Sequence, residues 1–147
     1  MAADLSRLDL LAVQIDGMHV TSELTLLAAI SIDGEGPKHP LALLEGATEN
    51  AVVAQALLDN LIDRGLDPNV CRLFIVDGSK ALIKAIPRTF GRHTPIQRCQ
   101  VHKARNIAER LPKHLHASVR VALRQAWELD DADKAERLIR NLARQLE

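Results

Sequence analysis

The first third of the chain consists of three short apolar segments separated by polar turns. They are LDLLAVQIDG (8–17), LTLLAAISID (24–33) and PLALLEG (40–46), and each is rich in Leu, Ile, Val and Ala. Apolar runs of this length, bounded by Gly, Pro and Asp, predict buried β-strands. Because the connections between them are short, they favour an antiparallel meander of three strands.

A helical period begins after the third strand. The spacing of apolar residues in 48–65 predicts an amphipathic helix, with Thr48 as its N-cap and Gly65 at its end. The apolar residues that share one face of this helix are Val53, Leu57 and Leu61.

One helix and two strands are predicted downstream. The run CRLFIVDG (71–78) predicts a fourth strand, and TPIQRC (94–99) a short fifth one. Between them, residues 79–86 predict a helix with Ser79 as its cap. Pro87 is expected to interrupt that helix early, because proline removes a helix hydrogen bond.

The remainder of the chain has a helical pattern throughout. Helices are predicted over 100–111, 114–129 and 131–146, the last with Asp131 as its cap. The order βββαβαβ followed by helices predicts an α/β fold. Its mixed five-stranded sheet would combine an antiparallel meander with a parallel βαβ unit, followed by a C-terminal helical extension.

Composition excludes some classes of protein. Apolar residues make up 47% of the 147 residues, yet Phe74, Phe90 and Trp127 are the only aromatic ones, so the core is aliphatic. No apolar run approaches the roughly 20 residues that span a membrane, and no membrane partner is expected. Two cysteines, Cys71 and Cys99, do not make a disulfide framework, which favours reduced thiols and a cytoplasmic location.

The net charge of zero conceals an uneven distribution. Residues 1–71 hold 3 basic and 11 acidic residues, whereas 72–127 hold 12 basic and 2 acidic ones. A basic second half suits contact with a polyanion such as DNA, because neutralised phosphates release counterions. The alternative is that the acidic and basic halves of the chain attract each other, which would produce the same charge pattern.

Asp16 and Asp77 each follow a strongly apolar strand and precede a glycine. A right-handed crossover between their strands would make those strands parallel and bring both carboxylates to one edge of the sheet. Neighbouring strands are about 4.8 Å apart, so the pair could bind one divalent cation such as Mg²⁺. Asp-Gly after a strand is also ordinary turn chemistry, and this alternative stays open.

These segments resemble the catalytic core of Mutator-like bacterial insertion-sequence transposases. The matching segments, in the order of that family, are IDGMHV (15–20), LEGATENAVV (44–53), LDNLIDRGLDP (58–68), FIVDGSKALIKAI (74–86) and IQRCQVHKARNIAERLPK (96–113). The resemblance implies a ribonuclease-H-like core over residues 1–113, present in part, with residues 114–147 beginning the helical insertion of the family.

The resemblance also implies a chemistry. Asp16 and Asp77 match two of the three catalytic acids of a DDE-class transposase, which cuts and joins DNA ends with Mg²⁺ or Mn²⁺. Cations about 3.5–4 Å apart clamp an in-line displacement at phosphorus. The implied partners are the DNA ends of a mobile element and either a second copy of the chain or a full-length transposase.

The third acid of the family, a glutamate beyond the helical insertion, has no match here. The late glutamates Glu128, Glu136 and Glu147 fall in segments with the pattern of an amphipathic surface helix. We therefore expect a piece of a transposase that is inactive alone. The alternative is a non-catalytic remnant that binds DNA or a partner, even a full-length transposase; an unrelated α/β enzyme lacks support from any glycine-rich phosphate loop.

Cys99 and His102 match the Cys-x-x-His signature of the family. Zinc is not expected, because a closed zinc site needs four ligands and no accompanying spacing supplies them. The resemblance suggests that the pair shapes the active site or holds DNA near it, while a buried small Cys99 and a hydrogen-bonded His102 remain the simpler alternative. The basic residues expected to contact DNA are Lys80, Arg98, Lys103 and Arg105.

Overall fold

The structure is a computed structural model that describes residues 3–22, 24–46 and 50–146. It divides into two compact units, Met1–Cys99 and Gln100–Glu147. The strands are β1 (Leu10–His19), β2 (Thr25–Asp33), β3 (Lys38–Glu45), β4 (Leu73–Val76) and β5 (Ile96–Arg98). The helices are α1 (Ala51–Asp63), α2 (Lys80–Phe90), α3 (Gln100–Ala108), α4 (His116–Trp127) and α5 (Ala132–Leu146), with a 3₁₀ turn at Lys113–Leu115.

The five strands form one mixed sheet in the order β3-β2-β1-β4-β5. The pairs β1–β2 and β2–β3 are antiparallel, whereas β1–β4 and β4–β5 are parallel. The predicted fold class is therefore confirmed: a meander of three strands is followed by parallel strands joined through helices. The compact units divide after Cys99. The predicted boundary at residue 113 concerns the domains of the family and stays a prediction.

An aliphatic core lies on one face of the sheet in the first unit. Val13 and Ile15 of β1 and Phe74 and Val76 of β4 are almost fully buried there. They form one cluster with residues of α1 and α2, chiefly Leu57, Leu58, Leu61, Leu82 and Ile86. Each such side chain contributes roughly 1.5–3 kcal/mol through burial, so the core holds both helices on this face.

Two local predictions differ from the structure, and a third concerns a residue that the structure does not describe. The strand β1 does not end at Asp16-Gly17 but continues to His19, because the antiparallel partner β2 pairs with it along this whole length. The turn interpretation of Asp16 is therefore wrong. The predicted cap Thr48 lies outside the described residues, and Asn50 accepts a hydrogen bond from the N–H of Val52 as the N-cap of α1.

Pro87 lies inside α2, which continues to Phe90. The predicted early end of this helix is wrong for a tertiary reason. The ring of Phe90 packs against that of Phe74, with 4.8 Å between the ring centroids, and so the last turn of α2 is anchored on the core. The hydroxyl of Thr89 also donates to the carbonyl of Ala85.

Arg72 anchors the start of β4 although it is only 7% exposed. Its Nε donates to the carbonyl of Leu10, and its Nη1 donates to the carbonyls of Asp67 and Val70. Burial lowers the pKa of the guanidinium, and the nearby charge of Asp67 opposes that effect. Hydrogen bonds from a charged donor contribute about 1.5–3 kcal/mol each, so Arg72 ties β4 firmly to β1.

The second unit consists of helices. α4 contacts both α3 and α5, and the side chains Val119, Leu123 and Ala126 form the buried face of α4. Asp131 accepts a hydrogen bond from the N–H of Lys134, which confirms it as the cap of α5. None of the described helices is long and apolar enough to cross a membrane.

Candidate functional site

The two candidate aspartates occupy adjacent positions at one end of the parallel strand pair. The paired register of β1 and β4 runs from Ala12 with Leu73 to Ile15 with Val76. Asp16 and Asp77 come directly after this last pair. Because neighbouring strands are about 4.8 Å apart, the two residues lie side by side where β4 ends.

The alternation of the strands assigns the aspartates to the face of the sheet opposite the core. Ile15 and Val76, which precede them, are buried in the core. Successive side chains of a strand point to opposite faces, so Asp16 lies on the other face. The same alternation, continued one residue past β4, assigns Asp77 to that face as well. Both residues are partly exposed, as a site that admits a substrate requires.

A turn between β4 and α2 fixes the orientation of Asp77. Its Oδ1 accepts a hydrogen bond from the N–H of Ser79 at 2.8 Å. The hydroxyl of Ser79 in turn accepts one from the N–H of Leu82, as the N-cap of α2. A carboxylate has about four acceptor positions, so Asp77 keeps capacity for further ligands.

Arg98 lies directly over Gly78, the glycine that follows Asp77 in the chain. Gly78 has a φ of +104°, and a Cβ there would lie only 2.5 Å from Nε of Arg98. A residue with a side chain would therefore be strained and would displace the guanidinium. The glycine thus serves both the turn and the approach of a positive charge to the end of β4.

Lys80 begins α2 with an exposed side chain three residues after Asp77. The N-terminus of α2 carries a partial positive charge, which adds to that of Lys80 and Arg98. Two of the four predicted DNA contacts are therefore brought to the strand end that bears the aspartates. Their role as DNA contacts stays a prediction.

The donor chemistry of the aspartate pair fits a magnesium or manganese ion. Two carboxylates supply hard oxygen ligands, and such ions complete their coordination with water or substrate phosphate. In residues 3–22, 24–46 and 50–146, no group of three or more His, Cys, Asp and Glu side chains is placed to hold a metal. Of the late glutamates, Glu136 is exposed and pairs with Arg140 on the surface of α5.

Cys99 is a buried residue that lies outside the main core cluster of the first unit. It is 8% exposed, and its N–H donates to the carbonyl of Val76 at 2.7 Å. This bond continues the β4–β5 pairing up to the residue before Asp77. Neither Cys99 nor the exposed Cys71 is in a disulfide. The burial agrees with the simpler interpretation of Cys99, a small side chain that packs.

The remaining predicted residues lie in the second unit. His102 is half-buried on α3, while Lys103 and Arg105 are exposed on the same helix. That the Cys99–His102 signature shapes the site stays a prediction, as does DNA contact by the two basic residues.

The packing of Arg98 on Gly78 was not predicted from the sequence. The Asp-Gly dipeptide signals a turn, but nothing local in the sequence reveals which side chain covers the glycine. The contact joins residues 20 positions apart and exists only because β5 pairs with β4.

Comparison with known proteins gives a family. The family described as "Transposase, Mutator family" matches residues 5–147. The chain is 33% identical over 140 residues to the transposase for insertion sequence element IS6120 of Mycolicibacterium smegmatis, covering 92% of this chain and 42% of that protein.

Two further relatives are also transposases of insertion sequences. The transposase for IST2 of Acidithiobacillus ferrooxidans is 31% identical over 114 residues, which is 78% of this chain and 38% of that protein. The transposase for IS256 in transposon Tn4001 of Staphylococcus aureus is 31% identical over 107 residues, which is 73% of this chain and 27% of that protein. The chain thus spans less than half the length of each of these three relatives.

Proposed function

The chain belongs to the Mutator family of transposases, and on that premise we propose that its first unit carries catalytic residues for cutting and joining DNA. The observation that supports this most directly is the position of Asp16 and Asp77 immediately after the last register pair of β1 and β4. We assign both carboxylates as ligands of Mg²⁺ or Mn²⁺, in a sheet of the ribonuclease-H-like type.

The proposed chemistry is displacement at a phosphodiester. The divalent cations, when bound, lower the pKa of the attacking water or 3′-hydroxyl and stabilise the leaving oxygen. Asp16 and Asp77 would hold the cation through their carboxylate oxygens. Arg98 and Lys80 attract the DNA phosphate towards the strand end, and the N–H of Ser79 keeps Asp77 oriented.

The proposed partners follow from the same chemistry. DNA ends of a mobile element are the substrate, and a second copy of the chain or a full-length transposase is the protein partner. Since DNA-end processing needs chromosomal or plasmid DNA, we place the protein in the bacterial cytoplasm. Cleavage by this chain alone is not expected, because a third acid matching that of the family has not been identified.

Metal titration of the purified protein tests the assignment. We expect Mn²⁺ to broaden, and Mg²⁺ to shift, the amide NMR signals of residues 14–17 and 76–79. The variant Asp16→Asn/Asp77→Asn should lose both effects. The matched control is Asp63→Asn/Asp130→Asn, which removes the same charge from two exposed aspartates and should respond like the wild type. Unchanged binding in Asp16→Asn/Asp77→Asn would refute the assignment.

A second function, DNA binding without cleavage, is favoured by the charge of residues 72–127, which hold 12 basic and 2 acidic residues. Metal titration beside a DNA-binding assay separates the two functions. Mn²⁺ binding that Asp16→Asn/Asp77→Asn abolishes supports a catalytic core, whereas DNA binding with no Mn²⁺ binding at these aspartates supports the binding module.

A further inference from the structure

A groove of about 430 Å³ lies within the second unit, between α3 and α4. We call it the arginine groove. It is lined by Gln100, Val101, Ala104, Arg105, Arg120, Arg124 and Trp127. Its size falls in the usual range for a small-ligand pocket.

Helical spacing explains why these residues share the groove. On α4, the positions of Arg120, Arg124 and Trp127 are separated by four and three residues and therefore lie on one face. This face lies beside the buried face of α4, which includes Val119 and Leu123. The side chains of the groove therefore stay accessible when α4 packs. The residues from α3 follow the same spacing.

The charge of the groove is unbalanced. Arg105, Arg120 and Arg124 are exposed, and none of the seven lining residues is acidic. Within the part of the chain that the structure describes, none of these three arginines is in an ion pair. Like charges four residues apart on a helix repel each other, so Arg120 and Arg124 are set up for an anion from outside the chain.

Trp127 gives the groove a second chemistry. It is the only tryptophan of the protein and is half-exposed at the C-terminal end of α4. A basic track beside an exposed aromatic ring is the combination with which proteins bind single-stranded nucleic acid, through phosphates and base stacking.

We propose that the arginine groove binds one unpaired strand of DNA, with its phosphates on Arg105, Arg120 and Arg124 and a base stacked on the indole of Trp127. The proposal rests on the proposed function, since it takes DNA as the substrate, and it adds that the second unit holds a strand separated from its partner. An acidic peptide would satisfy the arginines but would gain little from the indole, which is why we favour a nucleotide strand.

The test is a titration with a 12-mer oligothymidylate in EDTA. Because Trp127 is the only tryptophan, its fluorescence reports directly from the groove. We expect the oligonucleotide to quench this emission, and inorganic phosphate or polyglutamate at matched charge to leave it unchanged. No quenching by the oligonucleotide, or equal quenching by polyglutamate, would overturn the proposal.

Substitutions sharpen the test, with affinity measured by anisotropy of a labelled 12-mer. Each phosphate contact with a single strand contributes a salt slope of about 0.7. Arg120→Gln/Arg124→Gln should therefore lower the slope by about 1.4 and weaken binding about 25-fold at 0.1 M salt. Trp127→Ala should weaken it about fivefold or more, and Trp127→Phe should restore most of that loss.

The matched control is Arg137→Gln/Arg144→Gln, two exposed arginines of α5 outside the groove. This control should bind within about twofold of wild type, since those residues touch no DNA in the proposal. An equal loss in the control would show diffuse charge attraction and refute the groove. Circular dichroism checks that each variant folds; if Trp127→Ala does not, the arginine pair and the wild-type quenching decide.

The two proposals fail separately. If the 12-mer does not quench Trp127 but the protein still binds duplex DNA and binds Mn²⁺ through Asp16 and Asp77, only the groove is refuted. If the protein binds no form of DNA, the proposed function is refuted as well.

Discussion

Replacing Gly78 with alanine probes the packing of Arg98 over this glycine, which follows Asp77 in the chain. A Cβ at Gly78 would lie 2.5 Å from Nε and 2.7 Å from Nη2 of Arg98. Gly36 provides a matched control, because its φ is also +104° but nothing lies within 4 Å of the position of a Cβ. The two substitutions share the backbone strain and differ in the side chain that must move.

The expected magnitudes follow from these geometries. A positive φ costs alanine about 1–2 kcal/mol, and this cost applies at both positions. Moving Arg98 out of its rotamer adds about 0.5–1.5 kcal/mol at Gly78 alone. We therefore expect a loss of about 1–2 kcal/mol for Gly36→Ala and about 1.5–3.5 kcal/mol for Gly78→Ala.

Urea unfolding followed by far-UV circular dichroism measures the free energy of unfolding of each variant. In an Arg98→Ala background, the cost of Gly78→Ala should fall to that of Gly36→Ala, which makes this a double-mutant cycle. The reasoning is refuted if the two glycine substitutions cost the same in the wild-type background, or if removing Arg98 leaves the cost of Gly78→Ala unchanged.

Two further predictions concern other parts of the first unit. Cys99→Ser should lower the free energy of unfolding by about 1–3 kcal/mol, because it buries a hydroxyl, whereas the exposed Cys71→Ser should stay within about 0.5 kcal/mol; equal losses in urea unfolding would contradict the packed role of Cys99. The hydrogen bond from His39 holds the pKa of Asp33 below its usual value of 3.8, so the stabilisation is present above pH 3.8 and is lost as pH falls through the lowered value. Asp33→Asn should therefore lower Tm at neutral pH with a penalty that shrinks towards pH 2, and a penalty that grows on acidification would be the opposite result.

Local patterns were sufficient to predict the order of elements and the type of sheet. The three apolar runs joined by short turns became the meander, and the amphipathic period became α1. Asp131 was predicted as a cap from its position before a helical period, and it bonds to the N–H of Lys134. Such features depend on neighbours within a few residues, which the sequence displays directly.

Predictions that needed a distant partner were the ones that failed. Asp16 was expected at the end of its strand, but β2 extends the pairing past it to His19. Pro87 was expected to end α2, but the packing of Phe90 on Phe74 carries the helix further. In both cases a contact between remote segments overrides a local propensity. The free energy gained by burial and strand pairing exceeds the conformational preference of one residue.

The candidate site shows the same division. Local sequence periods are enough to place Asp16 and Asp77 each after an apolar segment, and to place Arg120, Arg124 and Trp127 on one helix face. Tertiary contacts alone put the two aspartates next to each other after the last register pair, lay Arg98 over Gly78, and close the groove between α3 and α4. These arrangements depend on which elements pair and pack, and that choice is made by the burial of the whole core rather than by any one segment.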